Sequence, residues 1–374
     1  MDLLDIRTKI DEVDGQIVDL YEKRMNLCSN VAEYKIQSGK KVLDKDREKD
    51  KINKVISLAK NKENKYGINE LFTQIMAISR KMQYKKLAEN GMSDETGFIS
   101  VNNLKESPDV VYQGEPGAYA YEATVSYFGE DVKCHNVASW RDAMEEIKTG
   151  KADYGVFPIE NSTAGIVNGV YDLLVEYDNY IVAEVYVKVN HALLGIKGAD
   201  ISDIKTIYSH PQALMQCEGY LRDKPWQQIS YTNTASSALK VSEDGDKSKA
   251  AIASVNAGKL YNLQVLAEGI NQNEKNTTRF IVVGNKKEFM ITSDKISICF
   301  EINHESGSLY NMLSHLIYNG LNMTRIESRP IPEKTWEYRF FVDIEGNLED
   351  ASVKNAFTGM KEEANDFRIL GNYK

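Results

Sequence analysis

The sequence predicts a multidomain protein with three parts: an all-α segment at residues 1–90, an α/β segment at 109–285 and an α+β segment at 295–374. A chain of 374 residues is too long for one hydrophobic core, so two or three domains are expected. After a polar stretch at 90–108, the helical spacing of apolar residues gives way to short β-rich runs. This change of period separates a helical domain from the segments that follow.

Composition and charge narrow the class of protein. Hydrophobic residues at 42% and charged residues at 27% are ordinary for globular domains, while a net charge of -9 argues against nucleic-acid binding. The start of the chain lacks an export signal and no apolar run is long enough to span a membrane, so we expect a cytoplasmic protein. The four cysteines lie far apart, without a neighbouring histidine cluster, which predicts reduced thiols and no metal site.

The first segment begins with one long predicted helix. Apolar residues recur with a 3-4 spacing from Leu3 to Tyr34, which is typical of a helix with a packing seam. Arg24 interrupts that seam, and a charge there requires a partner or a ligand. At about 100° per residue, Arg24 and Lys35 share one helix face, whereas Arg7 points about a quarter turn away.

Two further helical stretches, at 46–60 and 68–88, carry polar residues spaced three and four apart, so that they share a helix face. Solvated faces with surface ion pairs would explain these residues, and a coiled-coil dimerisation arm is an alternative for the whole segment. Arg24 in the seam favours anion binding instead. The polar clusters are Asp44, Arg47 and Glu48 around the start of the first stretch, and Ser79 and Gln83 on the second.

The run IRTKIDEVDGQIVDLYEKR, followed by Lys35, DKDRE and SRKMQ, resembles the helical class of chorismate mutase over nearly all of residues 1–88. The resemblance implies a domain-swapped dimer in which Arg7 serves the site of the partner subunit. It also implies a pericyclic rearrangement of chorismate to prephenate, which needs no nucleophile, base or metal. Arginines would clamp two carboxylates, Lys35 and Gln83 would donate to the ether oxygen, and Glu48 would bind the hydroxyl. The substrate-binding residues implied are Arg7, Arg24, Lys35, Asp44, Arg47, Glu48, Ser79 and Gln83.

In the middle segment, β-rich runs alternate with helical ones, which predicts one or two mostly parallel sheets. Four loops place small polar residues directly after strands: QGEPGAYA, PIENSTAG, YSHPQALMQC and NTTRF. Open α/β sheets bind ligands at that end of their strands, and helix N-terminal NH groups suit an anion. Each loop alone could be a turn with a helix N-cap. Together they favour a site for a small anionic substrate.

These loops, read as GEPGAYAYEA, DYGVFPIENSTAG, SHPQALMQC and NTTRFIVVG, closely resemble prephenate dehydratase over about 110–284. The resemblance implies two α/β lobes similar to periplasmic binding proteins, with the site in the cleft between them. Prephenate would lose carbon dioxide and hydroxide to give phenylpyruvate. Thr278 would donate to the leaving hydroxide, Arg279 would hold a carboxylate, and Asn161, Ser209 and Gln216 would orient the ring.

Three residues of this segment leave alternatives open. His210 could be a general acid, although a structural role in the turn before Pro211 is favoured. His191 is expected in the core or at a hinge. Ala120 stands where the family often has serine in a GxYS motif, which puts a supporting hydrogen bond in doubt. A bilobal solute-binding module is the alternative class, and the absent export signal argues against it.

The last segment has the order βαββαβ, which is the ferredoxin-like pattern, and its simplest role is dimerisation. GSLYNM and IESRPIP resemble the ACT regulatory domain, which implies phenylalanine binding at a subunit interface. The whole sequence therefore suggests a bifunctional, feedback-inhibited enzyme of phenylalanine biosynthesis, a homodimer or higher homo-oligomer that uses no cofactor and binds neither nucleic acid nor membrane. The regulatory residues implied are Gly307, Leu309, Glu327, Ser328, Arg329 and Pro330.

Overall fold

The computed structural model describes residues 2–92, 95–167, 169–332, 334 and 336–374. The chain forms two compact units. Unit 1 comprises Met1–Gly97 with Asp294–Ile369, and unit 2 comprises Phe98–Ser293 with Leu370–Lys374. The predicted helical and C-terminal segments thus lie in one unit, and the predicted α/β segment lies in the other.

Twelve α-helices and two short 3-10 turns, Lys62–Asn64 and Ile201–Asp203, occur among the described residues. The helices are α1 (Leu3–Ser38), α2 (Lys45–Ser57), α3 (Lys65–Glu89), α4 (Tyr119–Phe128), α5 (Trp140–Lys148), α6 (Val170–Tyr177), α7 (Pro211–Gln216), α8 (Glu218–Leu221), α9 (Thr234–Asp244), α10 (Val255–Leu260), α11 (Ser308–Tyr318) and α12 (Ala351–Glu363). In the part of the chain that the structure describes, no helix has both the length and the apolar character needed to cross a membrane.

Strands occupy most of the chain beyond α3. They are β1 (Ile99–Val101), β2 (Asp109–Gln113), β3 (Lys133–Val137), β4 (Tyr154–Asn161), β5 (Gly165–Ile166), β6 (Tyr180–Lys188), β7 (His191–Ile196), β8 (Thr206–Ser209), β9 (Gln227–Ser230), β10 (Lys249–Ser254), β11 (Leu263–Glu268), β12 (Thr277–Gly284), β13 (Glu288–Met290), β14 (Lys295–Glu301), β15 (Met323–Pro330), β16 (Tyr338–Glu345) and β17 (Asp366–Tyr373).

In unit 1, α3 is the central helix. It contacts α1, α2, α11 and α12. A small core of Val42, Tyr84 and Leu87, with Ile36 packed against it, joins α3 to the end of α1 and to the loop that precedes α2. The long α1 ends at Gly39, whose left-handed backbone (φ 66°) suits glycine.

The C-terminal part of unit 1, residues 294–369, is called the C-terminal module below. Its elements follow the predicted βαββαβ order, and its strands lie in the order β15-β16-β14-β17. Strand β16 pairs antiparallel with both β14 and β15, so β15 forms an edge of the sheet. This arrangement is the ferredoxin-like fold that the sequence pattern predicted.

Unit 2 contains two lobes, each built on a mixed sheet. One sheet has the order β6-β12-β4-β2-β3, and the other has the order β11-β7-β10-β8-β9. The prediction of mostly parallel sheets was wrong, because β12 is antiparallel to both of its neighbours and β7 is antiparallel to both of its own. Strand β6 passes to β7 through residues 189–190 alone, without the crossover helix that a parallel connection needs.

Two candidate active sites

A cavity of about 590 Å³ lies between the three helices at the start of unit 1. Every mutase residue expected from the sequence lines it except Arg7, which is exposed on α1. Positively charged side chains clearly outnumber carboxylates around it, which suits a substrate with more than one negative charge. The cations are Arg24, Lys35, Lys40, Lys41, Arg47, Lys51 and Arg80, and the carboxylates are Asp44 and Glu48.

Two donors in this cavity are held in defined positions. The Lys35 Nζ donates to the Val42 carbonyl at 2.7 Å, and burial together with the charge of Arg47 lowers the pKa of Lys35. Gln83 is 6% exposed, and its Nε2 donates to the carbonyl of Ser79 at 3.2 Å. The Oε1 of Gln83 is buried and has no hydrogen-bond partner among the described residues. Because an unpaired buried amide oxygen is costly, Gln83 has a hydrogen-bonding capacity that a ligand in the cavity can satisfy.

The carboxylates of the cavity have different roles. Asp44 accepts from the backbone N–H of Arg47 at 3.1 Å and thereby caps α2. Glu48 accepts from Nη1 of Arg80 at 2.6 Å. The sequence indicated no role for Arg80, although this residue lies inside the SRKMQ motif. Its neighbour Ser79 was expected to face the cavity, and the next residue on a helix lies about 100° away, so the spacing did not indicate this contact.

A second cavity, of about 970 Å³, lies in unit 2 and is lined by residues of both lobes. Three of the predicted dehydratase residues, Asn161, Gln216 and Thr278, line it. The N-terminal residues of three helices also face it, and the positive end of a helix dipole favours negatively charged ligands. Those residues are Ala118, Tyr119 and Ala120 of α4, His210, Pro211 and Gln212 of α7, and Asn233 and Thr234 of α9.

Asn161 and Thr278 lie opposite each other on β4 and β12. The Nδ2 of Asn161 donates to Oγ1 of Thr278 at 2.8 Å, and its Oδ1 accepts from the backbone N–H groups of Thr163 and Ala164. A hydroxyl carries a single hydrogen, so accepting from Asn161 leaves the hydrogen of Thr278 available to donate into the cavity. This geometry suits a residue that stabilises a leaving oxygen.

Gln216 is oriented by His191, which was expected from the sequence only in the core or at a hinge. The Oε1 of Gln216 lies 2.9 Å from Nε2 of His191, and Nδ1 of His191 lies 3.1 Å from the hydroxyl of Tyr119. Burial lowers the pKa of His191, which favours the neutral ring. His210 caps α7 by accepting from the backbone N–H of Gln212 at 3.2 Å, in keeping with a structural role.

The structure does not bring Ser209 and Arg279 to the cavity. Ser209 is fully buried and donates to the carbonyl of Ile252 at 2.7 Å. Arg279 follows Thr278 on β12, and successive side chains of a strand point to opposite faces. Its guanidinium therefore turns away from the cavity and contacts Glu184 at 2.7 Å and the Tyr373 hydroxyl at 2.8 Å. The roles expected for them, orienting the ring and holding a carboxylate, find no support in this geometry.

The residues predicted for regulation lie in the C-terminal module. Gly307 precedes α11 with a left-handed backbone (φ 84°), and Leu309 is half-buried in the first turn. On the edge strand β15, Glu327 and Arg329 are half-buried, whereas Ser328 and Pro330 are exposed. Alternate residues of this strand thus face opposite sides.

Two protein families match this chain, one over the helical segment and one over the α/β segment. A family model of chorismate mutase type II matches residues 6–84, and one of prephenate dehydratase matches residues 110–288. The bifunctional chorismate mutase/prephenate dehydratase of Escherichia coli K12 is 34% identical over 99% of this chain and 96% of its own length. That of Buchnera aphidicola from Schizaphis graminum is 32% identical over 100% of this chain and 96% of its own.

Two solved structures similar to this chain each cover 71% of it. Prephenate dehydratase from Arthrobacter aurescens, in complex with L-Phe, has a TM-score of 0.66 at 28% identity over 89% of its own chain. A protein described as a novel type of quorum quenching acylase has a TM-score of 0.66 at 29% identity over 97% of its own chain. The family models of both enzymes match this chain, and so do full-length bifunctional relatives. The chain therefore belongs to the family of bifunctional chorismate mutase/prephenate dehydratases.

Proposed function

We propose that the helical cavity rearranges chorismate to prephenate and that the cavity of unit 2 converts prephenate to phenylpyruvate. The observation that carries this proposal is the separation of two residue sets into two cavities, one strongly cationic and one lined by helix N-termini. A solute-binding module would need only the second cavity. A coiled-coil arm would not gather cations around a buried glutamine.

In the helical cavity, catalysis requires a folded conformer of chorismate and stabilisation of the charge that develops on its ether oxygen. Arg24 and Arg47 hold the two carboxylates, and Lys35 and Gln83 donate to the ether oxygen as its bond to carbon breaks. Glu48 binds the substrate hydroxyl. A preorganised donor of this kind is typically worth roughly 2.7 to 4 kcal/mol in the transition state.

In the cavity of unit 2, prephenate loses its ring carboxylate as carbon dioxide. The electron pair of the broken carbon–carbon bond enters the ring, the ring becomes aromatic, and the hydroxyl leaves as hydroxide. Thr278 donates a hydrogen bond to that leaving oxygen, and Asn161 fixes the threonine. Gln216 and the helix N-termini hold the substrate, since Arg279 is turned away. Arg279 instead anchors β12 from behind, through Glu184 and Tyr373.

The chain acts as a homodimer built on α1. Large apolar side chains on the first half of this helix are exposed in the single chain, among them Val13 at 52% and Leu20 at 65%. Contiguous apolar surface of this kind marks a protein–protein interface. A second copy packed on it would bring Arg7, which is exposed on the same part of α1, to the cationic cavity of the partner subunit.

The C-terminal module acts as an ACT regulatory domain that binds L-phenylalanine and inhibits the enzyme. Its ferredoxin-like strand order supports this role, and the similar Arthrobacter dehydratase was solved with L-Phe. The ligand would lie near Gly307 and Leu309, with Glu327–Pro330 of the edge strand contributing. Inhibition requires that phenylalanine bind one of two states more tightly than the other.

Assays with each substrate test the two activities. Supplied with chorismate, the full-length protein should form prephenate and then phenylpyruvate, and supplied with prephenate it should form phenylpyruvate directly. A protein that binds prephenate without converting it would support the solute-binding alternative and contradict the dehydratase. A protein that converts prephenate but not chorismate would support the coiled-coil arm and contradict the mutase.

A further inference from the structure

Arg80 links the mutase cavity to the C-terminal module. Its Nη1 lies 2.6 Å from Oε2 of Glu48, and its Nε lies 2.9 Å from Oε1 of Glu363 on α12. The side chains of Arg80 and Glu363 are only 11% and 12% exposed. A guanidinium presents its N–H groups in a fixed plane, so two carboxylates together hold it in one orientation.

Glu363 is itself firmly placed. Its Oε1 lies 3.2 Å from Nε2 of His315, a residue of α11 that is almost fully buried. Burial alone would raise the pKa of Glu363, but His315 and Arg80 together lower it to about 2. The carboxylate therefore stays ionised at neutral pH, and it can hold Arg80 throughout the physiological range.

A second carboxylate of α12 reaches the other wall of the same cavity. The Oε2 of Glu362 accepts from the backbone N–H of Leu43 at 3.2 Å and from the hydroxyl of Tyr84 at 2.9 Å. Leu43 lies between Val42, whose carbonyl accepts from Lys35, and Asp44, which caps α2. The end of α12 thus supports the cavity at two separate points.

We propose that Glu363 of the C-terminal module is a positioning residue for the mutase site: by holding Arg80, it fixes the carboxylate of Glu48. The inference rests on the proposed mutase function of this cavity. Glu363 touches no substrate, so its effect passes through Arg80 to the residue that binds the substrate hydroxyl. The C-terminal module then supports the mutase site structurally, in addition to its proposed regulatory role.

Steady-state kinetics of full-length Glu363→Gln test this inference. The substitution keeps the shape of the side chain and removes its charge. Since Glu48 binds the hydroxyl in ground state and transition state alike, the KM for chorismate should rise about tenfold, with kcat within about twofold of wild type. Glu349→Gln is the matched control, because Glu349 forms an exposed ion pair with Lys354 in the same module. Its KM should stay unchanged.

A double-mutant cycle separates positioning from general destabilisation. In a Glu48→Gln background, Glu363→Gln should change KM by less than about twofold, because its target is gone. An equal effect in both backgrounds, an unchanged KM, or a fall in kcat alone would overturn the inference. If Glu363→Gln fails to fold, Arg80→Lys replaces it, since one ammonium cannot fix two carboxylates, and it must raise KM likewise. Wild-type protein that leaves chorismate unconverted would contradict the proposed function instead.

Discussion

The proposed donor role of Gln83 can be tested by replacing its amide with a carboxyl group. If its Nε2 donates to the ether oxygen, a glutamate at this position can donate only when protonated. Mutase activity of Gln83→Glu should therefore rise as the pH falls through the pKa of the new carboxyl, whereas wild type stays comparatively flat. Activity measured against pH, with chorismate as substrate, checks this expectation.

The control for that profile is Gln83→Ala, which has no proton to gain. It should be about 100-fold slower than wild type at every pH, the loss expected for one preorganised donor. A Gln83→Glu profile that runs parallel to wild type would exclude Gln83 as a donor.

At the residue scale, the sequence motifs predicted positions near the sites, but they did not predict what each side chain contacts. Asn161 and Thr278 do lie together at one cavity wall, as their loops predicted. Arg279 shares a motif with Thr278, and Ser209 shares one with Gln216, but neither Arg279 nor Ser209 lines the cavity. The face of a strand depends on register within the sheet, which a loop motif does not specify. His191 was expected only in the core or at a hinge, because nothing in its sequence neighbourhood points to Gln216.

At the element scale, the runs of apolar residues located the long strands but not their direction. Strand β7 is hard to recognise in the sequence because it follows β6 after only two residues. Strands β3 and β9 are hard to recognise because KCHNV and QQIS have no clear apolar alternation. Strand polarity depends on whether a helix separates two strands, and here β6 continues directly into the other lobe. The three N-terminal helices and the βαββαβ order were predicted correctly because their periods are long and regular.

Phenylalanine binding by the edge strand β15 can be tested at Arg329. If Arg329 helps to bind phenylalanine, Arg329→Ala should weaken binding about tenfold, the loss expected for one charge-assisted hydrogen bond. Calorimetric titration of L-phenylalanine into variant and wild type measures this directly. Lys354→Ala on α12 removes the same charge elsewhere in the module and should bind as wild type does. Equal affinity of all three proteins would exclude Arg329 from the site.

At the scale of the whole molecule, the grouping of the helical segment with the C-terminal module could not be predicted. The side chains of α3 that make the contact, Arg80, Lys81 and Tyr84, look in the sequence like an ordinary polar helix face. In the structure Lys81 is 4% exposed and donates to Ser314 at 2.6 Å. Polar contacts between segments that are distant in the sequence produce no periodic pattern of residues, whereas an apolar helix face does.

The proposed dimer can be tested by mixing subunits. Arg7→Ala and Gln83→Ala should each have about 100-fold less mutase activity than wild type when expressed alone. Co-expressed, they should regain about a quarter of the wild-type rate, because about half of randomly paired dimers are mixed and each holds one intact site. No recovery would mean that Arg7 does not serve the partner subunit, since a site built within one chain gains nothing from pairing.

The central claim is that two separate sites act in sequence, and product analysis of two variants tests it most directly. From chorismate, Thr278→Val should accumulate prephenate with phenylpyruvate formation at least about 100-fold slower, while Gln83→Ala should still convert added prephenate at the wild-type rate. Thr277→Val is the matched control, because the hydroxyl of Thr277 donates to the Lys275 carbonyl outside the cavity. Phenylpyruvate formation that survives Thr278→Val, or that is lost in Gln83→Ala supplied with prephenate, would contradict the account.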